Sequence, residues 1–450
     1  MKRELFGTDG IRGVAREYPL DAPTIYAVGV ALGKRVQAMH GSAEVVIGTD
    51  TRESGNWIAR LVAAGLAVNG VKTRFAGLIT TPGVAYLART GPFAAGVMIS
   101  ASHNPYKDNG IKVLDHSGFK LPDAVEHEIE QDIFAALETG VVPSESELAV
   151  DEELDRQYVD YLASTFPGDL KGMTLTVDAA NGSASFIGPE LFERLGATVH
   201  TIGSAPNGTN INLNCGSLHL DNLRKHVLED GADLGIAFDG DADRALFVSH
   251  SGKLVDGDAV MLMTGVALKE AGRLNANDGT PEVVATVMSN LGLEKALEQH
   301  GIRMLRTPVG DKYVLEEMEQ RGAKLGGEQS GHVIFREFAT TGDGMLTALR
   351  VLEVIRSTGK SLDELVSALK VYPQILVNVR VKEKRPMAEL ARTNAAIREA
   401  ESELNGSGRI LVRFSGTEPL ARVMVEGPEK AQVDRLANHL ADVIKSELGG

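Results

Sequence analysis

Three times before residue 312 the chain repeats one order: an apolar run, a polar turn, a helix-length stretch, a glycine, then a second apolar run opening into a loop. The first copy takes residues 45–47 through GTDTRESG, residues 56–68 and Gly70 to a strand at 71–75. One further strand then discharges into ISASHNP. The second takes 175–177 through DAANG, a helix at 189–195 and Gly196 to ATVHTIG. The third takes 283–287 through MSNLG, a helix at 292–299 and Gly301 to IRMLRTPVG. Strands alternating with helices imply parallel pairing under helical cover, and such sheets collect ligands beyond the carboxyl ends of their strands. The repeat therefore predicts three related α/β domains.

Residues 374–450 break the pattern. An alternating strand (Ile375, Val377, Val379, Val381) precedes a helix at 388–402 and strands at 410–414 and 421–425. A last helix carries Val433, Leu436, Leu440 and Val443 on one face. Breaks fall in the acidic stretch near 140–157, near 250–257 and at Pro373. The expected domains are 1–150, 151–253, 254–370 and 371–450. The first three are α/β with mixed, mainly parallel sheets; the last is a smaller α+β domain. A chain of 450 residues is long enough for several cores.

The net charge of −15, from 46 basic and 61 acidic residues, argues against a nucleic-acid groove or an anionic membrane as partner. No apolar run approaches membrane-spanning length, and MKRELFGTDG lacks the apolar core of a signal peptide. Cys215 is the single cysteine, so no intrachain disulfide can form, which fits a reducing compartment. The expectation is a cytoplasmic protein with small-molecule partners, a homodimer being one option. An acidic chain that binds an anion must gather arginines and backbone N–H groups locally.

Four loops do so or carry other chemistry. In GVMISASHNPYKDNGIKV (96–113) an apolar strand ends at a hydroxyl, Ser102, beside His103, with Lys112 further on. A serine becomes a nucleophile only when a base, cation or metal stabilises its oxyanion; alone, a Ser-His pair is ordinary turn chemistry. FDGDADRA (238–245) sets Asp239, Asp241 and Asp243 at alternate positions after the strand LGIAF. Carboxylates so crowded repel unless a cation sits among them, so removing one should relieve the metal-free protein. Mg²⁺ or Ca²⁺ suits oxygen ligands, and Mg²⁺ favours few carboxylates plus a phosphate oxygen. An EF-hand is excluded, because Arg244 and His250 stand where it needs glycine and glutamate.

RFSGTEPLAR (413–422) offers Arg413, Ser415, Gly416, Thr417 and Arg422, groups that suit a phosphate, although a plain hairpin turn looks similar. GEQSGH (327–332) offers Glu328 and Ser330 to sugar hydroxyls; a lone histidine such as His332 is more often structural. STGKS (357–361) is no P-loop, since Val354 stands where its first glycine belongs; Lys360 belongs to a helix connection.

Taken together over the whole chain, FGTDGIRG, ISASHNPYKDNGIK, DGDADR, GEQSGH and RFSGTEP resemble the α-D-phosphohexomutase superfamily. The glutamine of GEQSGH is similar to the glucosamine-phosphate branch; the phosphomannomutase/phosphoglucomutase branch often has methionine there. The resemblance implies a heart-shaped enzyme of four domains. It makes Ser102 the phosphoryl carrier, with Asp239, Asp241 and Asp243 binding one Mg²⁺ together with a phosphate oxygen on Ser102. Glu328, Ser330, Arg244 and His332 would hold the sugar, and Arg413, Ser415, Gly416, Thr417 and Arg422 its distal phosphate. His103 and Lys112 are candidates for proton transfer or charge stabilisation. RTPVGDK has Pro308 where many relatives offer lysine, which leaves Arg306 or Lys312 to supply that charge, with Arg12 as a further candidate.

The implied reaction is an isomerisation between glucosamine 6-phosphate and glucosamine 1-phosphate through a phosphoserine and a hexosamine 1,6-bisphosphate. It would supply amino-sugar nucleotide for cell-wall synthesis. The alternative is a phosphomannomutase/phosphoglucomutase. A Mg²⁺-dependent phosphatase would hydrolyse the phosphoserine and need no fourth domain, and a non-catalytic sugar-phosphate binder would not need Ser102.

Overall fold

An apolar run without alternation needs cover on both faces, and in the computed structural model of this chain those runs become the middle strands of helix-covered sheets. Residues 4–7, 9–40, 43–415 and 419–449 are described. The first sheet has the order Phe6–Gly7, Gly10–Val14, Asp108–Asp115, Phe93–Ile99, Glu44–Thr49, Lys72–Leu78. The second runs Leu254–Val255, Ala245–Ser249, Leu234–Phe238, Thr174–Asp178, Thr198–Ile202. The third runs Arg303–Thr307, Glu282–Thr286, Leu325–Gly327, Val333–Phe335. Each contains three adjacent parallel strands, with antiparallel strands added on one side.

The antiparallel strand next to the parallel three has the same origin in each sheet. Phe93–Ile99 returns as Asp108–Asp115, Leu234–Phe238 as Ala245–Ser249, and Leu325–Gly327 as Val333–Phe335. The connections are the serine, aspartate and GEQSGH loops. All are too short for a parallel crossover, which takes about a dozen residues or more, so the chain can only turn back. Each chemical loop is therefore the tip of a hairpin at the carboxyl end of a central strand.

Ile25, Val28 and Leu32 of the helix Ala22–His40 pack into a core with Ile47, Val97, Ile99 and Ile111. The second-domain helix differs from expectation. It spans Ala184–Arg194 with Pro189 in its interior, so the proline removes one backbone donor instead of marking the start. Gly359, at φ +67°, ends the helix Gly344–Thr358, and Ser361 opens Leu362–Leu365 in a capping box with Glu364. STGKS is thus the expected helix connection. Among the described residues no helix is long and apolar enough to cross a membrane.

Two compact units emerge: Met1–Met288 with Ile302–Val366, and Ser289–Gly301 with Ser367–Gly450. The second holds the antiparallel sheet Gln374–Arg380, Leu420–Glu426, Arg409–Phe414 and the helices Ala391–Leu404 and Lys430–Leu448. Val433, Leu436, Leu440 and Ile444 are buried there. Val443 is only partly buried, because Ile444 follows Leu440 by one helical turn and takes the core position. The helix Leu291–Gln299 clusters with this unit. Leu291 N donates to Glu426 Oε1 at 2.9 Å, and Asn290 Nδ2 to the Tyr372 carbonyl at 3.0 Å.

Candidate active site

Ser102 lies just beyond the strand Phe93–Ile99, 1% exposed, with φ +51°. A left-handed non-glycine residue must be held there by its surroundings. Its N–H donates to Ser100 Oγ at 2.9 Å, and its carbonyl accepts from Arg52 Nη2 at 3.0 Å and Asn212 Nδ2 at 2.9 Å. Arg52, fully buried, also donates to the carbonyls of Asn104 (2.9 Å), Asp108 (3.0 Å) and Pro105, and its Nε to Asp50 Oδ2 at 2.9 Å. Asp50 in turn accepts from Ser100 Oγ at 2.7 Å. Burial pushes the Asp50 carboxyl up, against the pull of Arg52.

Sequence reasoning treated GTDTRESG as a turn and missed Arg52. The available signal was an Asp-x-Arg set directly after the strand Glu44–Thr49, which pairs in parallel with the serine strand.

Asp239, Asp241 and Asp243 are buried and bring one oxygen each within 4.8 Å of one another. Ser102 Oγ donates to Asp239 Oδ2 at 2.6 Å. The approach leaves no room for a side chain between the loops: a Cβ on Gly240 would lie 2.4 Å from the Ser102 carbonyl oxygen. Repulsion among the aspartates is opposed by an ammonium, so removing Asp241 would take an ion pair from Lys112 as well as relieve Asp239. Lys112 Nζ lies 2.7 Å from Asp241 Oδ2 and 3.7 Å from Asp243 Oδ2, and Thr81 Oγ1 donates to Asp241 Oδ2 at 2.5 Å.

Burial, then Asp243 and Asp241, hold the Asp239 carboxyl well above the usual range. At Asp243 burial is outweighed by Lys112 and His332, and the carboxyl is held down. Burial opposes the charge on Lys112, but Asp241 and Asp9 outweigh it and raise the ammonium pKa. Asp241 Oδ1 and Asp243 Oδ1 are buried with no hydrogen-bond partner among the described residues. Two unsatisfied carboxylate oxygens beside a third carboxylate and a hydroxyl form an oxygen-only donor set that fits a hard divalent cation.

Beside this group opens a cleft of about 370 Å³ lined by Asp9, Arg12, His103, Arg244, Glu328 and His332, among others. Arg12 pairs with Asp9. Arg244 N donates to Asp239 Oδ1 at 3.2 Å, and its Nη1 lies 3.3 Å from His103 Nδ1, which is 3.4 Å from Ser102 Oγ. A guanidinium only donates, so His103 Nδ1 must accept and the ring proton sits on Nε2. Burial, Arg244 and Arg12 lower the His103 pKa, keeping it neutral near pH 7.

His332 is buried, its Nδ1 3.7 Å from Asp243 and its Nε2 3.6 Å from Asp311. Burial lowers its pKa, but Asp243 and Asp311 outweigh that and raise it. The Gly342 N–H donates to Nε2 at 3.0 Å and works against that charge. Glu328 Oε1 accepts from Gly310 N at 3.2 Å, and exposed Ser330 reaches its Oε2 at 3.5 Å. Arg306 and Lys312 do not line this cleft. Arg306 Nη1 donates to the Thr286 carbonyl at 3.3 Å, and Lys312 pairs with Asp123.

In the second unit Arg413 and Arg422 face each other across the pair Arg409–Phe414 and Leu420–Glu426. Directly opposed like charges are unfavourable; burial first, then Arg422, lowers the Arg413 pKa. Lys384 Nζ donates to the Ser415 carbonyl at 2.6 Å. Gly416 and Thr417 lie outside the described residues.

Residues 3–139, 156–252, 256–372 and 376–443 match, in that order, alpha/beta/alpha domains I, II and III and the C-terminal domain of the phosphoglucomutase/phosphomannomutase family. A phosphoglucosamine mutase of Solibacter usitatus is 60% identical over 449 residues, covering 100% of both chains. This chain belongs to the phosphoglucosamine mutases of the phosphohexomutase superfamily. Its fold is also that of a solved phosphoglucomutase/phosphomannomutase family protein from Burkholderia thailandensis. The TM-score is 0.81 at 22% identity, covering 99% of this chain and 98% of that one. An N-acetylphosphoglucosamine mutase from Aspergillus fumigatus, solved with GlcNAc-6P and magnesium, matches with TM-score 0.64 at 18% identity. That match covers 99% of this chain and 96% of the other. Family membership makes the protein an enzyme of intramolecular phosphate transfer, and the buried aspartates are a metal-capable group among the described residues.

Proposed function

We propose that this chain interconverts glucosamine 6-phosphate and glucosamine 1-phosphate through a phosphoryl group carried on Ser102. The observation that carries the reading is the convergence of the Ser102 hydroxyl with three buried carboxylates beside a cleft lined by arginines and histidines. Asp239, Asp241 and Asp243 would hold Mg²⁺, the ion present in the Aspergillus relative. When bound, it neutralises charge on the phosphoryl group, the larger part of phosphoryl-transfer catalysis.

The chain's own residues do the rest. A sugar hydroxyl attacks the phosphorus of phosphoserine 102; the new O–P bond forms as the Oγ–P bond breaks, leaving glucosamine 1,6-bisphosphate. His103, held neutral beside Ser102, is able to take the hydroxyl proton at Nδ1 once Arg244 turns from it to the substrate, whereas Lys112, held as an ammonium, supplies positive charge. In the second half Ser102 Oγ takes back the other phosphoryl group, and the freed sugar oxygen recovers a proton.

Arg12, Arg244, Glu328, Ser330 and His332 would hold the sugar. Arg413, Ser415 and Arg422, with Gly416 and Thr417, would hold the phosphate that is not transferred, and an anion between Arg413 and Arg422 would relieve their mutual repulsion. The reading keeps the domain limits 1–150, 151–253, 254–370 and 371–450, a cytoplasmic setting, amino-sugar supply for cell walls and the option of a homodimer. Turnover of glucosamine 6-phosphate compared with glucose and mannose phosphates tests it. A catalytic efficiency for the glucosamine ester no higher than for the others would redirect the assignment to the phosphomannomutase/phosphoglucomutase branch.

A further inference from the structure

The charged groups around the cleft close into a ring through two residues with no role so far, Lys120 and Asp311. Lys112 Nζ lies 3.0 Å from Asp9 Oδ2; Lys120 Nζ lies 2.5 Å from Asp9 Oδ1 and 2.5 Å from Asp311 Oδ2. The imidazole of His332 lies between the next two carboxylates, Nε2, which accepts from Gly342 N–H, at 3.6 Å from Asp311 and Nδ1 at 3.7 Å from Asp243, and Asp243 returns to Lys112. Carboxylates alternate with nitrogen groups all the way round. Asp9, Lys112 and Lys120 come from the segment matching alpha/beta/alpha domain I, Asp243 from that matching domain II, Asp311 and His332 from that matching domain III.

Local sequence explains how Lys120 arrives there. In DHSGFK, Asp115 N donates to the Phe119 carbonyl at 2.8 Å and Gly118 N to the Asp115 carbonyl at 3.0 Å. The chain reverses, and Lys120 bridges back to Leu114 on the strand that carries Lys112. Gly118 sits at φ +80°, where a Cβ would also meet the Ala85 carbonyl oxygen at 2.5 Å. Asp311 opens the helix Asp311–Arg321, where a negative charge is favoured.

We propose that Lys120 is a positioning residue of the mutase reaction: by bridging Asp9 and Asp311 it holds Lys112 and His332 in register against the aspartate loop. The inference rests on the mutase reading. Two oxygens that are each 2.5 Å from one ammonium are at most about 5 Å apart. Without the cation, two partly buried carboxylates at that separation repel. Asp9 is then left to Lys112 and Arg12, and Asp311 to His332. Any displacement of Lys112 reaches the aspartate loop directly, through its 2.7 Å contact with Asp241. A strut serving stability alone would predict something different: once the unbalanced charge is removed, activity should return with the fold.

The test compares wild type, Lys120→Met, Lys120→Arg and Lys120→Met/Asp311→Asn by kcat and KM for glucosamine 6-phosphate with Mg²⁺, beside thermal melts. Displaced catalytic groups cost about a hundredfold per ångström. Lys120→Met should therefore lose about thirtyfold or more in kcat with KM within about threefold, and Lys120→Arg should recover most of it. The double variant, freed of repulsion, should melt near wild type yet stay at least about tenfold slow.

Lys120→Met as fast as wild type, or a raised KM at unchanged kcat, overturns the inference. So does a double variant whose kcat returns with its melt, and so does a failure of both Met-bearing variants to fold, which would make Lys120 a stability residue. No turnover by the wild type overturns the mutase reading and this inference with it.

Discussion

Ser102 Oγ and Asp239 Oδ2 lie 2.6 Å apart, although 137 positions separate them in the chain. One residue sits at the tip of the first domain's hairpin and the other at the tip of the second's. Their contact makes the serine loop and the metal-capable loop one structure.

That contact depends on a missing side chain. A Cβ at Gly240 would meet the Ser102 carbonyl oxygen at 2.4 Å and Ile211 Cδ1 at 2.9 Å. Gly240→Ala should separate the loops by a fraction of an ångström and lower kcat about tenfold to a hundredfold. Steady-state kinetics beside a thermal melt checks this; unchanged kcat would show that the loops tolerate separation.

Asp241→Asn should weaken Mg²⁺ binding and also destabilise the metal-free protein, by about 1–3 kcal/mol, because Lys112 loses its shortest ion pair but keeps Asp9 and Asp243. Calorimetric Mg²⁺ titration and urea denaturation without metal measure the two effects. A metal-free variant more stable than wild type would mean that repulsion among the aspartates outweighs the Lys112 pair.

Asp343 caps the helix Gly344–Thr358, accepting from Leu346 N at 2.9 Å and from the Tyr158 hydroxyl at 2.8 Å. Burial raises its pKa to about 6, despite those donors. A raised carboxyl favours the folded state when protonated, so its contribution is present below the ordinary aspartate value and lost as pH rises through about 6. Asp343→Asn does not titrate. Between pH 4 and 7 the variant should therefore gain on wild type by roughly 2–3 kcal/mol, read from urea midpoints at the two pH values. A constant difference would contradict the raised pKa.

Much of this was legible beforehand, for identifiable reasons. The loops announced themselves because residues 97–99 and 234–238 are unbroken apolar runs that stop at polar hairpin tips, and a buried strand must end somewhere. The direction of the next strand was hidden, since it depends on loop length as well as on apolar pattern. Arg52, Lys120 and Asp311 were hidden for another reason. Each looks like an ordinary loop or helix-end charge until folding surrounds it with carbonyls or carboxylates from distant segments. Val443 and Ile444 show the limit of periodicity, since one residue of helical phase decides which of them is buried.

Arg413→Ala should mainly damage substrate capture, by about 1.5–3 kcal/mol or roughly tenfold to a hundredfold in catalytic efficiency, in both directions alike. Because Arg413 stands opposite Arg422, its loss should leave the stability of the second unit unchanged or slightly raised. Forward and reverse kinetics with a thermal melt decide. Unchanged efficiency in both directions would remove Arg413 from the phosphate seat.

The most direct test follows the phosphoryl group itself. The protein is charged with glucosamine 1,6-bisphosphate and Mg²⁺, desalted, mapped by peptide mass, then mixed with glucosamine 6-phosphate and quenched. The account predicts one phosphoryl group on Ser102, its transfer on mixing to give glucosamine bisphosphate, and glucosamine 1-phosphate as Ser102 takes up the substrate's own 6-phosphoryl group, with no phosphorylation of Ser102→Ala. Phosphorylation at another residue, or release of the group as inorganic phosphate at the rate of turnover, would contradict it.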